Sequence, residues 1–361
     1  MKKRGIRGLV SRNTEWFFSS RGVRASAGVE VTIIVSQPME SLMARRTSTK
    51  IQPAVMTIQC KSPGVNSGAT GEFTLDLSQM ASLVNRRFYR QGLNWAVAGF
   101  KILTTQQGVL TTKKIPNTWV TSNAWEKAFR AWNKQQMEMI EESGAESAVA
   151  RFRDFKVFAD VEHVSAGIAS NLLPLDGQLP LAQPYAPGEW EYSQIVIPNA
   201  GAPGVNDERY LHMVGANFNN PGASRGVIAG YADSRAFPHS PDPVSPNLDS
   251  TNNWLSQMFD TGDNIGDVID NATDKNDDLP YPQTDYPGGE VQAPSLQIHD
   301  TSFITGTTLS ATVRVKGGNF PCGLVRFDYA NTSDTTGNIV IQIDLVPGHH
   351  RGYLAEPMTE M

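Results

Sequence analysis

Short runs of β-branched and aromatic residues recur along most of the chain, and Gly or Pro separates one run from the next. Glycine (31) and proline (22) are close to average in number among the 361 residues, so their position between the runs is the informative feature. The runs predict strands at 29–36, 54–60, 72–77, 95–104, 152–160, 191–197, 210–214, 226–231, 296–304, 308–315, 323–329 and 338–346. Many strands and few helices favour an all-β fold of sandwich or barrel type.

The last predicted strand has the clearest pattern. Apolar side chains occupy every second position, and a strand of period two points them all to the same side: Ile339, Ile341, Ile343 and Leu345. The intervening residues point to the other side. One face of this strand is therefore expected to be buried.

Two helices are predicted between the strands. Ser122 can cap a helix that runs to about Glu142, in which apolar and long side chains recur every three or four residues: Trp125, Phe129, Trp132, Gln136 and Met139. A stripe of this kind is more typical of packing than of a cofactor site.

The second predicted helix covers 77–88, with Arg86, Arg87 and Arg90 near its C-terminus. Cations there interact favourably with the helix dipole, and the same arginines could contact phosphate. The dipole interaction is sufficient to explain them.

Charge is distributed unevenly along the chain. Residues 1–50 contain ten basic and three acidic residues, a net charge of +7, whereas the remaining 311 residues carry a net charge of −12. A basic leader on an acidic body indicates a polyanionic partner at one end only.

Residues 1–28 contain Gly, Ser and Arg with few apolar side chains, so we expect a flexible arm. Its basic residues could follow the phosphates of nucleic acid of any sequence, and bases could stack on Trp16, Phe17 and Phe18. The candidate nucleic-acid-binding residues are Lys2, Lys3, Arg4, Arg7, Arg12, Arg21 and Arg24. A solvated terminus and, less favourably, a helix on an anionic membrane surface are the alternatives.

Several functional classes lack their signatures. No apolar run approaches the roughly 20 residues of a membrane span, so no membrane anchor is expected, and a signal peptide is not indicated. Neither the phosphate-binding loop of NTPases nor the dinucleotide-binding glycine motif occurs, and no cofactor is predicted. Cys60 and Cys322 are widely separated, which favours reduced structural thiols. The chain is not expected to be an enzyme.

One short motif is typical of hydrolases. Residues 222–226, GASRG, match the G-x-S-x-G nucleophile elbow, and Asp233 and His239 follow in the hydrolase order. The elbow requires a strand before the serine and a helix after it, whereas the following GVIAGY predicts a strand. We therefore interpret the glycines as a tight turn.

The segment 242–290 contains eleven acidic residues and one lysine, and we expect it to form a long surface insertion. Asp274, Asn276 and Asp278 imitate the first positions of a calcium loop, but Leu279 replaces the glycine that the sharp bend needs. They form a weak calcium candidate only, and no metal site is predicted.

Seven passages of the sequence together carry a resemblance to a known protein family: NTWVTSNAWEKAFRAW (117–132), SAVARFRDFKVF (147–158), GEWEYSQIVIP (188–198), FPHSPDPVSP (237–246), DNATDKNDDLPYPQTDYPGGE (270–290), PCGLVRFDY (321–329) and DLVPGHHRGYLAEPM (344–358). In combination they resemble capsid proteins of circular, Rep-encoding single-stranded DNA viruses of environmental and marine type. The resemblance implies a jelly-roll β-sandwich with one or two short helices in its loops. It also implies a homo-oligomeric icosahedral shell around circular single-stranded DNA, with the basic arm inside.

These expectations define three segments: a flexible basic arm (1–28), a jelly-roll shell domain with the acidic insertion (29–346) and a C-terminal tail (347–361). The protein is expected in the virion, with host nucleus and cytoplasm both open as the place of assembly. The alternative function is a jelly-roll, lectin-like module that binds its ligand with calcium.

Overall fold

The computed structural model describes residues 18–24, 30–36, 53–145, 147, 154–177, 179, 181–199, 204–218, 223–235, 293–305 and 312–361. The chain divides into two compact units, Met1–Ile51 and Gln52–Met361. In the first unit, β1 (Phe18–Arg24) pairs with β2 (Glu30–Ser36) in an antiparallel hairpin. Arg21 and Arg24 thus belong to a strand, which differs from the flexible arm that we predicted through residue 28.

Eight strands of the second unit form two sheets in which every pairing is antiparallel. One sheet has the order β13 (Thr312–Phe320), β5 (Leu93–Leu103), β15 (Val340–Leu345) and β3 (Thr57–Lys61). The other has the order β12 (Gln297–Ile304), β6 (Gly108–Lys114), β14 (Leu324–Asn331) and β4 (Thr70–Asp76). The all-β class is therefore confirmed, and β6 is a strand that the sequence reading missed.

The two sheets share one hydrophobic core. Phe100 of the first sheet lies edge-on to Phe327 of the second, with ring centroids 5.3 Å apart. The alternation predicted for the last strand is confirmed, because Ile339, Ile341 and Ile343 are fully buried. Cys60 and Cys322 are buried free thiols, as expected, and burial raises the pKa of Cys60 to about 12.

A second layer of structure has its own core. It contains α2 (Trp119–Ser143), α3 (Val161–Ala166), α4 (Val227–Arg235) and a small sheet of β9 (Gln194–Pro198), β10 (Asn206–His212) and β11 (Ser224–Gly226). Helix α2 begins at Trp119 and is capped by Thr118, whose hydroxyl accepts from the Thr121 amide, rather than by Ser122. The aromatic stripe packs as predicted, with Trp125 stacked on Phe129. Its last member, Met139, is exposed.

Helix α1 (Leu77–Asn85) directly follows β4. Asp76 caps it through the amides of Ser78 and Gln79, and Arg86 ends it in a left-handed conformation. The predicted helix to residue 88 is thus too long, and the arginines lie beyond its last turn. Interaction with the helix dipole therefore explains these arginines less well than the sequence indicated.

The C-terminal residues pack on the body. Short pairings join β7 (Leu175–Asp176) to β8 (Gln183–Pro184) and β16 (Pro347–Gly348) to β17 (Gly352–Tyr353), while β18 (Ala355–Pro357) pairs with β5. Met358 is fully buried. The predicted tail 347–361 is therefore integral to the second unit. Among the described helices, none is long and apolar enough to cross a membrane.

Candidate functional site

The outer face of the sheet β12-β6-β14-β4 has two contrasting halves. At its β12 edge, Ile298 and Phe303 are 62 % and 72 % exposed. Residues five apart in a regular strand point to opposite faces, but the register shifts between Ile298 and Asp300. Ile298 therefore pairs with Lys113 and Phe303 with Val109, on one face of β6. Both large apolar side chains lie on the solvent side of the sheet edge.

The other half of this face is charged and covered. Arg326 on β14 is only 5 % exposed, and its guanidinium lies 2.7 Å from Asp160, 3.2 Å from Asp328 and 3.6 Å from Glu162, with Glu72 also in contact. Burial lowers the pKa of Arg326, but these carboxylates together raise it above its ordinary value. One guanidinium is shared among four acids, so burial still raises the pKa of Asp160. The turn before α3 is thereby fixed to the sheet.

A polar network lies under the segment that carries α3. His163 accepts the Ala159 amide proton at Nδ1 (3.1 Å), so its Nε2–H donates to Asn171 Oδ1 at 2.7 Å. The Asn171 amide in turn donates to Gln79 of α1 and to the Tyr192 hydroxyl. Burial lowers the pKa of His163 to about 4. The network holds a neutral histidine between the helix layer and the sheets.

Asp76 continues the buried polar contacts at the start of α1. Its carboxylate accepts from the Gln91 amide at 2.8 Å, and Gln91 accepts the Val157 amide at 2.6 Å. Burial raises the pKa of Asp76 to about 6, although these hydrogen bonds favour the charged form. Asp76 thus joins the sheets to the segment at Val157.

The GASRG motif has a different surrounding from the one we predicted. The strand expected over 226–231 is wrong, because β11 ends at Gly226 and α4 begins at Val227. Ser224 opens β11 and is completely buried, whereas an elbow serine stands exposed at the turn between strand and helix. The ring of His212 on β10 is also buried. The described residues therefore do not form an exposed nucleophile here.

The predicted site residues fall largely beyond the described segments. Lys2, Lys3, Arg4, Arg7 and Arg12 lie outside the described residues, as do Asp274, Asn276 and Asp278 and the rest of the acidic insertion. Arg21 and Arg24 are placed only as positions of β1. In the part of the chain that is described, no group of three metal-ligating side chains occurs.

The surface feature that sequence reasoning missed is the location of Ile298 and Phe303 on the same face of β12. Their spacing of five predicts opposite faces, and the irregular register of β12 places them on one face. Comparison with protein-family models, curated proteins and solved structures finds no match. Function is therefore inferred from geometry, charge and the sequence resemblance.

Proposed function

We propose that the chain is a jelly-roll capsid subunit that assembles into a closed icosahedral shell and packages circular single-stranded DNA. The observation that carries the proposal is the strand order. Numbered along the eight sandwich strands, the two sheets contain the second, seventh, fourth and fifth strands and the first, eighth, third and sixth. This order supports the proposal, because rolling up a long antiparallel hairpin into a jelly roll with two Greek keys produces the same order.

The fold alone leaves several functions open, since lectins and cupins use the same architecture. Two further features favour the shell. The first is the apolar pair Ile298 and Phe303 on an edge strand, because large exposed apolar side chains are typical of contact surfaces between proteins. The second is the basic leader on an acidic body, which suits a nucleic acid enclosed by the shell.

Electron microscopy of the purified full-length chain tests the proposal. We expect closed particles of uniform size by negative stain, with a matching high mass by light scattering. Phe303→Asp should shift the protein to free subunits, because it places a charge in the centre of the proposed contact. Its fold should be preserved, since Phe303 is 72 % exposed.

Phe303→Leu is the matched control and should still assemble, because it keeps an apolar side chain at the same position. A wild-type chain that stays monomeric at high concentration and moderate salt, with and without single-stranded DNA, would contradict the shell. Particles formed equally well by Phe303→Asp would show that the β12 face is not the contact.

The leader provides a second prediction. Replacing Lys2, Lys3, Arg4, Arg7 and Arg12 with Gln should lower the amount of DNA recovered with the protein. Each lost phosphate contact on a single strand reduces the magnitude of the slope of log K against log salt by about 0.7, so the five replacements should reduce it by about 3.5. Filter binding of an oligonucleotide over a salt series measures it. An unchanged slope would remove these residues from the DNA contact.

A further inference from the structure

An open cleft lies beside the end of α1, where the helix meets the turn that leads to Trp190. Its volume is about 210 Å³, and its lining includes Leu83, Arg86, Arg87, Phe88, Glu189 and Trp190. We call it the α1 cleft. Sites for drug-sized molecules occupy roughly 300 to 1,000 Å³, so the α1 cleft suits a smaller group or one unit of a polymer.

The backbone at the α1 cleft is strained in a way that favours a binding role. Arg86 has φ 52° and ψ 40°, the left-handed conformation that glycine usually supplies after a helix. Arg351 has φ 50°, and its guanidinium donates to the carbonyl of Phe88. Of the three non-glycine residues with positive φ in the described segments, Arg86 thus lines the cleft and Arg351 contacts the backbone of a lining residue. Such strain at a non-glycine residue often marks a functional position.

The polar groups in the wall are mainly hydrogen-bond donors. Within the described segments Arg86 forms no ion pair, whereas Arg87 donates to the Pro53 carbonyl and also interacts with the Tyr89 hydroxyl. The Trp190 side chain is 93 % buried, and no described residue accepts from its Nε1–H. Glu189 is the single acid of the wall against two arginines. An anion with several acceptor oxygens fits such a wall, and phosphate is the common example.

The rest of the wall is apolar and aromatic. The ring of Phe88 lies 6.0 Å from that of Trp190, tilted by 41°, and Leu83 continues the apolar surface. Lys156 lies 4.5 Å from the Trp190 ring centroid and forms an ion pair with Asp154 behind the wall. A planar ring could pack against Phe88 while its phosphate reaches the arginines. Aromatic and basic groups side by side are typical of sites for single-stranded nucleic acid.

We propose that the α1 cleft binds one nucleotide of a single-stranded nucleic acid, with the phosphate on Arg86 and Arg87 and the base against Phe88. This inference rests on the proposed function for its ligand, since it adds a site on the body to the contacts of the leader. It makes binding partly independent of the first 51 residues.

Fluorescence anisotropy with labelled oligo(dT) tests the site in the full-length chain, with Lys2, Lys3, Arg4, Arg7 and Arg12 already replaced by Gln. Arg86→Gly should weaken binding about tenfold, since a hydrogen bond to a charged group is worth about 1.5–3 kcal/mol and 1.4 kcal/mol corresponds to tenfold. Glycine adopts the left-handed conformation without strain, so the variant should be at least as stable as its parent.

Arg314→Gln on β13 is the matched control. Arg314 is exposed, pairs with Lys101 of β5 and does not line the α1 cleft. Its loss should therefore change the affinity less than about twofold. Equal effects of Arg86→Gly and Arg314→Gln would overturn the cleft site. That result would leave the shell untouched, whereas a chain that binds oligo(dT) through Arg86 but never forms particles would remove the shell and keep the cleft.

Two further probes separate the phosphate from the base. An abasic oligonucleotide should bind more weakly than oligo(dT), and an oligonucleotide carrying 5-iodouracil should cross-link under ultraviolet light to the peptide that contains Phe88. Equal affinity for the abasic strand, with cross-links elsewhere, would overturn the contact between base and Phe88. Competition by inorganic phosphate that fully displaces the strand at equal phosphate concentration would do the same.

Discussion

Arg326→Met should lower the free energy of unfolding by about 3–5 kcal/mol at neutral pH, the usual cost of removing one partner from a buried ion pair. The variant leaves Asp160, whose side chain is 10 % exposed, without its cation, and Glu72 and Asp328 lose the same partner. Urea unfolding of the monomeric protein measures the change. Acidification should narrow the difference from the wild type, because a protonated Asp160 no longer needs a cation.

Two controls make this result specific. Arg130→Met removes an exposed pair with Glu126 in one turn of α2 and should cost less than about 0.5 kcal/mol. Adding Asp160→Asn to Arg326→Met should recover part of the loss, since asparagine is neutral and can still cap α3. A loss below about 1 kcal/mol, or no recovery in the double variant, would contradict the assigned role of the network.

The second large effect is a loss of stability in acid. The pKa values of His163 and His212 are lowered to about 4 by burial, against about 6.5 in an unfolded chain. Between pH 6.5 and 4 the unfolded state therefore binds more protons, so stability falls as the pH falls. A shift of this size lowers the free energy of unfolding by about 3 kcal/mol for each histidine once the pH is below 4.

Asp76 acts in the opposite direction. Its pKa is raised to about 6, so the folded state binds the extra proton between pH 3.8 and 6, and stability is lost as the pH rises through this range. The contribution is similar in size, about 3 kcal/mol, and offsets one histidine. His163, His212 and Asp76 together should therefore lower the free energy of unfolding of the wild type by about 3 kcal/mol between pH 6.5 and 4.

Single substitutions separate these groups. His163→Gln should flatten the dependence of the unfolding free energy on pH, whereas Asp76→Asn should make it steeper, whatever each variant costs at neutral pH. Denaturant titrations at several pH values measure both slopes. If the two variants kept the slope of the wild type, neither group would titrate as its burial indicates.

Some elements of the fold can be identified from a local residue pattern, and others cannot. The alternation from Ile339 to Leu345 identifies β15 because one face of that strand contacts only the core. The segment VIAGY was assigned to a strand but forms α4, because a short apolar run looks the same in a buried helix and a buried strand. Strand β6 was missed because threonine and lysine at Thr111, Thr112 and Lys113 hide its alternation.

The candidate surfaces depend on contacts that no local pattern encodes. The role of Arg326 follows from its ion pair with Asp160, which is distant in the chain. The location of Ile298 and Phe303 on one face depends on the irregular register of β12. The arginines after α1 were recognised in the sequence, but their separation from the helix end follows from the left-handed Arg86. Pairing, register and backbone strain are tertiary properties, whereas residue type and period are local.

The pairing of β3 with β15 also sets a time for folding. Cys60 and Ile341 contact each other across 281 positions of the chain, so the first strand of the body must wait for the last strand before its sheet is complete. At roughly 5–20 residues per second of synthesis, the wait is about 15–60 s. Contacts of such long range also slow folding itself. The chain therefore completes this sheet only near the end of translation, and a nascent chain that lacks β15 leaves β3 without its partner strand.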